Sequence, residues 1–187
     1  MESPWPIEIF KVVAQFISVG LVASYITFSY QKRNWKQNAK TQQVSSNIKR
    51  SYETLLLVSN NLDRRIYATN YFISSVKNGD SALIKERRDE YLVVNKLWNA
   101  NINFCLASLE LDFSVEIRNE FDFVIGFELV RIGRKILDIS RSEFLQIGDV
   151  DDLDKATTKI RLLVYDFNVR MMCTLREREK QLLDSLN

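Results

Sequence analysis

The sequence predicts an all-α fold: one N-terminal transmembrane helix followed by a cytosolic antiparallel bundle of about four long helices. Three observations predict it. Among 187 residues there are only five Gly and two Pro, and both Pro lie in the first six positions, too few breakers for the many turns of a β fold. Apolar residues recur every three or four positions from Lys40 onward, the period of an amphipathic helix. The third observation is the 19-residue stretch Val12–Tyr30, VVAQFISVGLVASYITFSY, which carries no charge.

That stretch, extended by Ile7, Ile9 and Phe10 below Lys11, is long enough to cross a hydrocarbon core of about 30 Å at 1.5 Å per residue. Trp5 stands at one boundary and Tyr30 and Trp35 at the other, where aromatic rings favour the headgroup layer. Pro4 and Pro6 suit a helix start, because a first-turn proline forfeits no hydrogen bond. A cleaved signal peptide fits less well: the start carries Glu2 and Glu8, and the far end runs into SYQKRNW with no small-residue cleavage site. A buried core helix is the other alternative, supported by Gln15, Ser18, Ser24, Thr27 and Ser29.

Lys32, Arg33, Lys36 and Lys40 follow the span, against Lys11 and the amino terminus before it. The positive-inside rule then puts the N-terminus outside and the C-terminal part in the cytoplasm of a cell's inner (plasma) membrane, with the basic flank among anionic headgroups. The expected division is therefore 1–36, the span with its flank, and 37–187, the cytosolic bundle. Gly20, Ala23, Ser24 and Thr27 follow i, i+3, i+4, i+7 spacing, a small-residue stripe along which helices can approach closely. Gln15, Ser18, Val22, Tyr25 and Ser29 make a second, partly polar stripe. Together they predict self-association, with the Gln15/Ser18 face lining a wet interior; the plainer alternative is that lipid tolerates these small groups.

Beyond the span, Leu55, Leu62, Thr69 and Val76 recur every seven residues, as do Tyr52, Ser59, Ile66 and Ile73, the two seam positions of a heptad. No Gly or Pro falls between Leu21 and Asn78, so span and first bundle helix are nearly continuous, with a bend expected in the polar stretch Asn38–Ser46. Asn78-Gly79 ends that helix, and Asp80 or Ser81 caps the next. The second runs from about Ala82 to Leu109 and buries Leu83, Tyr91, Val94, Trp98, Ile102, Cys105 and Leu109. The third begins at Ser114, carries Phe121, Val124, Ile125, Leu129, Ile132 and Ile136, and reaches Ile139 or, after a kink, Ile147. The fourth comes after an acidic turn, Gly148–Asp152, and buries Leu153, Ala156, Ile160, Leu163, Phe167, Met171 and Leu175. Short links between such helices imply antiparallel neighbours.

Chemistry is largely excluded by composition. The chain has no histidine, which removes Ser-His-Asp and Cys-His nucleophile systems, His-containing zinc sites and a histidine pH switch. Cys105 and Cys173 are too few for a disulfide framework or a metal site and sit in apolar helical patterns, so both are expected as reduced core residues. The run Asp149–Asp154 lacks the central glycine of a calcium loop and has Ile160 where the bidentate glutamate belongs, so helix capping explains it better. Glu116, Glu120 and Asp122 form no inward di-metal set. No catalytic, metal or cofactor residue is therefore expected, and the chain is not expected to be an enzyme.

The net charge of +2 is too small to imply nucleic acid, although Arg64, Arg65, Arg131, Arg134 and Lys135 are local basic patches. Lys85–Glu90 mixes signs and reads as a solvated helical face. Asn95, Asn99 and Asn103 recur at four-residue intervals beside Trp98. They suggest a hydrogen-bonded polar ladder inside the bundle or across a subunit contact; an ordinary exposed face is the alternative. The expected partners are the lipid bilayer, further copies of the chain, and a cytosolic protein.

The layout, a span at Val12–Tyr30, a Lys32-Arg33 flank and long helices from Lys40 onward, resembles the small membrane pore proteins that accompany RNA-guided CRISPR ribonucleases of the Cas13b type. The resemblance covers the whole chain in size and order but no specific motif. That family is described as a degenerate relative of helical Arg-His nucleases, and histidine is missing here outright, so no functional residue carries over. The resemblance implies a ring-forming effector that perturbs the inner membrane during phage defence. The competing expectation is a passive anchor whose bundle recruits a cytosolic partner.

Overall fold

A computed structural model describes residues 5–141 and 147–184. The chain is all-α, and no strand occurs among the described residues. Helix α1 spans Trp5–Asn78, α2 Ser81–Asp112, α3 Val115–Asn119, α4 Phe127–Ile139 and α5 Ile147–Asp184, with a π-helical turn Glu120–Gly126 between α3 and α4. The chain divides into two compact units, Met1–Ser46 and Asn47–Asn187, and α1 contributes to both. Helical structure continues through Asn38–Ser46.

One helix, taken over Phe10–Asn78, is long and apolar enough to cross a membrane by length and composition alone, with mean hydropathy 1.7 over its best window and none of that window buried.

The second unit owns the core. Its first helix ends at Asn78, where Gly79 takes φ +73° and its N–H reaches the Ser75 and Val76 carbonyls at 3.3 Å; an L side chain at that φ is strained. Asp80, not Ser81, then caps α2, its carboxylate accepting from the amides of Ala82 at 2.9 Å and Leu83 at 3.3 Å. Both heptad rows on α1 point inward: Leu55, Leu62, Thr69, Val76, Ile66 and Ile73 are buried, with Tyr52 and Ser59 half-buried. On α2, Tyr91, Trp98, Cys105 and Leu109 are buried, while Leu83, Val94 and Ile102 are half-buried at the margin.

Residue pairs between helices obey one rule: the index rises on one helix as it falls on the other. Along α1 and α2 the pairs are Thr54 with Asp112 at 2.6 Å, Asn61 with Cys105 at 3.6 Å, and Phe72 with Tyr91 at 5.6 Å between rings. Along α1 and α5 they are Tyr52 with Glu179 at 3.1 Å, Ser59 with Asn168 at 3.0 Å, and Lys77 with Asp154. From the π turn through α4, Phe121 meets Phe167 at 5.9 Å and Lys135 meets Asp152 at 3.8 Å. Phe121 also stacks at 5.6 Å on Trp98, so one ring joins three helical segments.

Two expectations need correction, and a third lies partly outside the described residues. The third helix is not uniform: Ser114 Oγ accepts from the Ile117 amide at 3.3 Å as expected, but the chain widens into the π turn before α4. One extra residue per π turn rotates the downstream helix, so Phe121 and Ile125 stay fully buried while Val124 is turned out to 42% exposure. The acidic run Gly148–Asp152 is not a turn before a helix, because α5 already starts at Ile147; carboxylates are stabilised inside a first helical turn by its free amides. The kink expected between Ile139 and Ile147 falls in part on 142–146, outside the described residues.

Candidate functional site

Along the apolar stretch Val12–Tyr30 every predicted contact residue is exposed: Gln15, Ser18, Gly20, Ala23, Ser24 and Thr27. Two of its hydroxyls are already satisfied by their own helix. Ser18 donates to the Ala14 carbonyl at 2.8 Å and Thr27 to the Ala23 carbonyl at 2.9 Å, which removes most of the cost of placing an O–H in hydrocarbon. A Cβ added at Gly20 would meet nothing within 4 Å, so the fold of the chain itself does not require glycine there. A shallow apolar groove runs beside it, lined by Ser18, Val19, Val22, Ala23 and Ile26. The basic residues Lys32, Arg33, Lys36 and Lys40 are all exposed, on the helical turns just past that apolar stretch.

The three asparagines do not share one environment. Asn95 is half-buried and its Oδ1 accepts from Arg65 Nη1, whereas Asn99 and Asn103 are exposed. Residues four apart drift about 40° around a helix, enough over eight residues to carry the row from the core margin to the surface.

Arg65 is the polar group that periodicity did not single out. It is 2% exposed and lies 5.0 Å over the Trp98 ring, held by Asn95 and beside Tyr91. No carboxylate lies within ion-pair distance of it among the described residues, and its Nε has no hydrogen-bond partner there. Burial pushes the guanidinium down from its ordinary value, opposed by the Tyr91 hydroxyl, and burial pushes Tyr91 up. Room for this cluster comes from Gly133, where a Cβ would fall 2.0 Å from Tyr91 Oη.

A second polar cluster closes the other end of α2. Asp112 is 4% exposed; its carboxylate pairs with Arg50 and accepts from Thr54 Oγ1 at 2.6 Å. Its backbone carbonyl accepts from Ser51 Oγ at 3.1 Å and Arg178 Nη1 at 2.5 Å, and Arg178 Nη2 reaches the Phe113 carbonyl at 3.3 Å. The last carbonyls of a helix lack partners within it, and here Arg178 of α5 supplies them. Both clusters are legible in hindsight: Val58, Arg65, Phe72 and Trp98, Cys105, Asp112 each keep a seven-residue step, so both polar residues occupy inward positions.

The cysteines part company. Cys105 is buried, its thiol pushed up by burial against the opposing contact from Asn61, but Cys173 is exposed. The expectation that both are core residues fails for Cys173 because Met171 and Leu175 take the inward positions around it. Among the described residues no group of His, Cys, Asp or Glu is arranged to hold a metal ion. Comparison with family models, with curated proteins and with solved structures returns no match.

Proposed function

We propose that the chain is a single-pass membrane protein whose span lies within Val12–Tyr30, with its N-terminus outside and Asn47–Asn187 in the cytoplasm as an antiparallel bundle of four long helices. It self-associates through the span, and the assembled spans perturb the membrane as a pore-forming effector. The observation that carries this is the bare apolar stretch, with Ser18 and Thr27 already satisfied on their own backbone. An exposed surface of that length in water would aggregate, whereas in lipid it is at its lowest free energy. Self-association is supported by the small-residue stripe at Gly20, where a Cβ would meet nothing within 4 Å, leaving room for close approach of a second helix. A role in antiviral defence rests on the resemblance in layout alone.

The competing proposal is a passive anchor that holds the bundle at the membrane, which the exposed basic flank would serve equally well. Induced expression with a membrane-potential dye separates them. Depolarisation that is lost in Gln15→Leu and Gly20→Leu, with both variants still membrane-inserted, supports the pore; membrane insertion without depolarisation by the unaltered protein supports the anchor. Carbonate extraction that releases the protein from membranes overturns both.

A further inference from the structure

Helix α2 has apolar residues on two sides. One side faces the core through Tyr91, Trp98, Cys105 and Leu109. On the other, Val93, Leu97, Ala100, Phe104, Ala107 and Leu111 are separated alternately by four and three residues, and all six are exposed; Phe104 is 64% and Leu111 70% exposed. Isolated apolar residues at a surface are ordinary. A four-three alternation held for six positions is the seam that one helix presents to another. The seam ends where it must: the two positions that would continue it upstream are Glu86 and Glu90, and α2 stops at Asp112 downstream.

We propose that this seam binds the same seam of a second copy of the chain, the two α2 helices running antiparallel across a twofold axis at position 102. About that point the pattern is complementary to itself. Val93 meets the partner's Leu111, Leu97 meets the partner's Ala107, and Phe104 meets the partner's Ala100, so the bulky residue of each inner layer faces a small one and the core interdigitates. The flanks match as well. In an antiparallel pair, residues preceding one seam position face their own kind from the other strand, which sets Lys96 against the partner's Glu110 twice over and Asn103 against the partner's Asn103 at the axis.

Both charges are available. Lys96 is exposed, and Glu110 makes only a 3.9 Å contact with Arg118 and keeps 56% of its side chain exposed. A parallel pair would stack Phe104 on its own copy, Ala100 on Ala, and bring Lys96 beside an asparagine, so the charges select the antiparallel arrangement. A seam of 19 residues from Val93 to Leu111 is about 27 Å long, the length of an ordinary helix-pair contact. The exposed Asn103, left over from the expected ladder, finds its own copy as a hydrogen-bond partner on the flank here. The surface lies wholly in Asn47–Asn187 and does not depend on the membrane placement.

The test is charge exchange in the full chain extracted in detergent, with self-association monitored by dilution of two fluorescently tagged populations. Lys96→Glu and Glu110→Lys each place two like-charged contacts in the pair and weaken association about tenfold; the double variant restores it. Phe104→Asp weakens it by roughly a hundredfold. In a Cys173→Ser background, Leu97→Cys on one tagged chain forms a disulfide with Ala107→Cys on the other. The proposal is overturned if the double variant stays as weak as the single ones, if Leu97→Cys cross-links to itself as a parallel pair requires, or if all three substitutions leave association unchanged. All the altered residues are exposed, and an unchanged circular dichroism spectrum verifies the fold. Because Gly20→Leu leaves this seam intact, the charge-exchange pattern in that variant reports on the seam alone, whereas depolarisation that persists in it reports failure of the span proposal.

Discussion

Gly133→Ala adds a single methyl group to the bundle and should nevertheless destabilise it. Two effects oppose each other. Alanine in place of glycine inside α4 favours the helix by about 1 kcal/mol. Against it, the new Cβ would stand 2.0 Å from Tyr91 Oη and 3.3 Å from its Cζ, and Tyr91 is only 1% exposed, so the ring has nowhere to retreat. Overpacking of this kind costs about 1–3 kcal/mol, here at the upper end because the ring is pinned between Phe72 and the Arg65 guanidinium. The expected net loss is about 2 kcal/mol. Removing the hydroxyl with Tyr91→Phe eliminates the shorter contact and leaves the 3.3 Å one, which a shift of a few tenths of an ångström relieves. In that background Gly133→Ala should be close to neutral, a coupling of about 2 kcal/mol between the two positions. Denaturant titration in detergent measures it, read by fluorescence of Trp98 in a Trp5→Phe, Trp35→Phe background. Equal losses in both backgrounds, additive within about 0.5 kcal/mol, would refute the close approach of α4 to Tyr91.

Asp112→Ala should lower stability by about 2 kcal/mol in the same titration, because Thr54 loses its acceptor while buried, whereas half-exposed Arg50 can turn to water; Asp112→Asn keeps the Thr54 contact and should lose about half as much. Maleimide should label Cys173 within minutes and Cys105 only on unfolding, since burial both shields that thiol and holds it protonated; the two rates are read by mass spectrometry. Glu116 is held below the usual carboxylate range, chiefly by a hydrogen bond from Ser114 and then by its own backbone amide. A carboxylate depressed in the folded state contributes stability present above its unfolded pKa and lost as pH falls through its folded one, so Ser114→Ala should raise the Glu116 titration midpoint toward the ordinary value by carbon-13 NMR.

The features legible in the sequence are those that depend on period alone. The seven-residue rows on α1 and the Gly79-Asp80 reversal each rest on local spacing or local backbone demand, and each falls where the sequence predicts it, while the three-and-four face of α2 is borne out at Tyr91, Trp98, Cys105 and Leu109. The features that stay hidden depend on which polar residue finds a partner from another helix. Arg65 and Asp112 sit in inward register positions, but nothing local says that Asn95, Thr54 and Arg178 converge on them. Cys173 shows the opposite limit: an apolar residue in an apolar run still faces out when its neighbours at −2 and +2 fill the inward positions. The apolar stretch Val12–Tyr30 is legible as a length of uncharged chain, and the structure adds that Ser18 and Thr27 bond to their own helix.

The π turn bears on how this helix could have changed its length. Inward residues around it step by four and four, Phe121 to Ile125 to Leu129, before settling into three and four through Ile132, Ile136 and Ile139. Excise one residue between Phe121 and Ile125, such as the outward-facing Phe123, and the steps become three, four, three, four, three, the frame of an unbroken α-helix. The turn is thus a place where the coding sequence can gain or lose one residue without moving any downstream side chain off the core. A deletion anywhere else in the same rod would rotate the whole remaining face by about 100°.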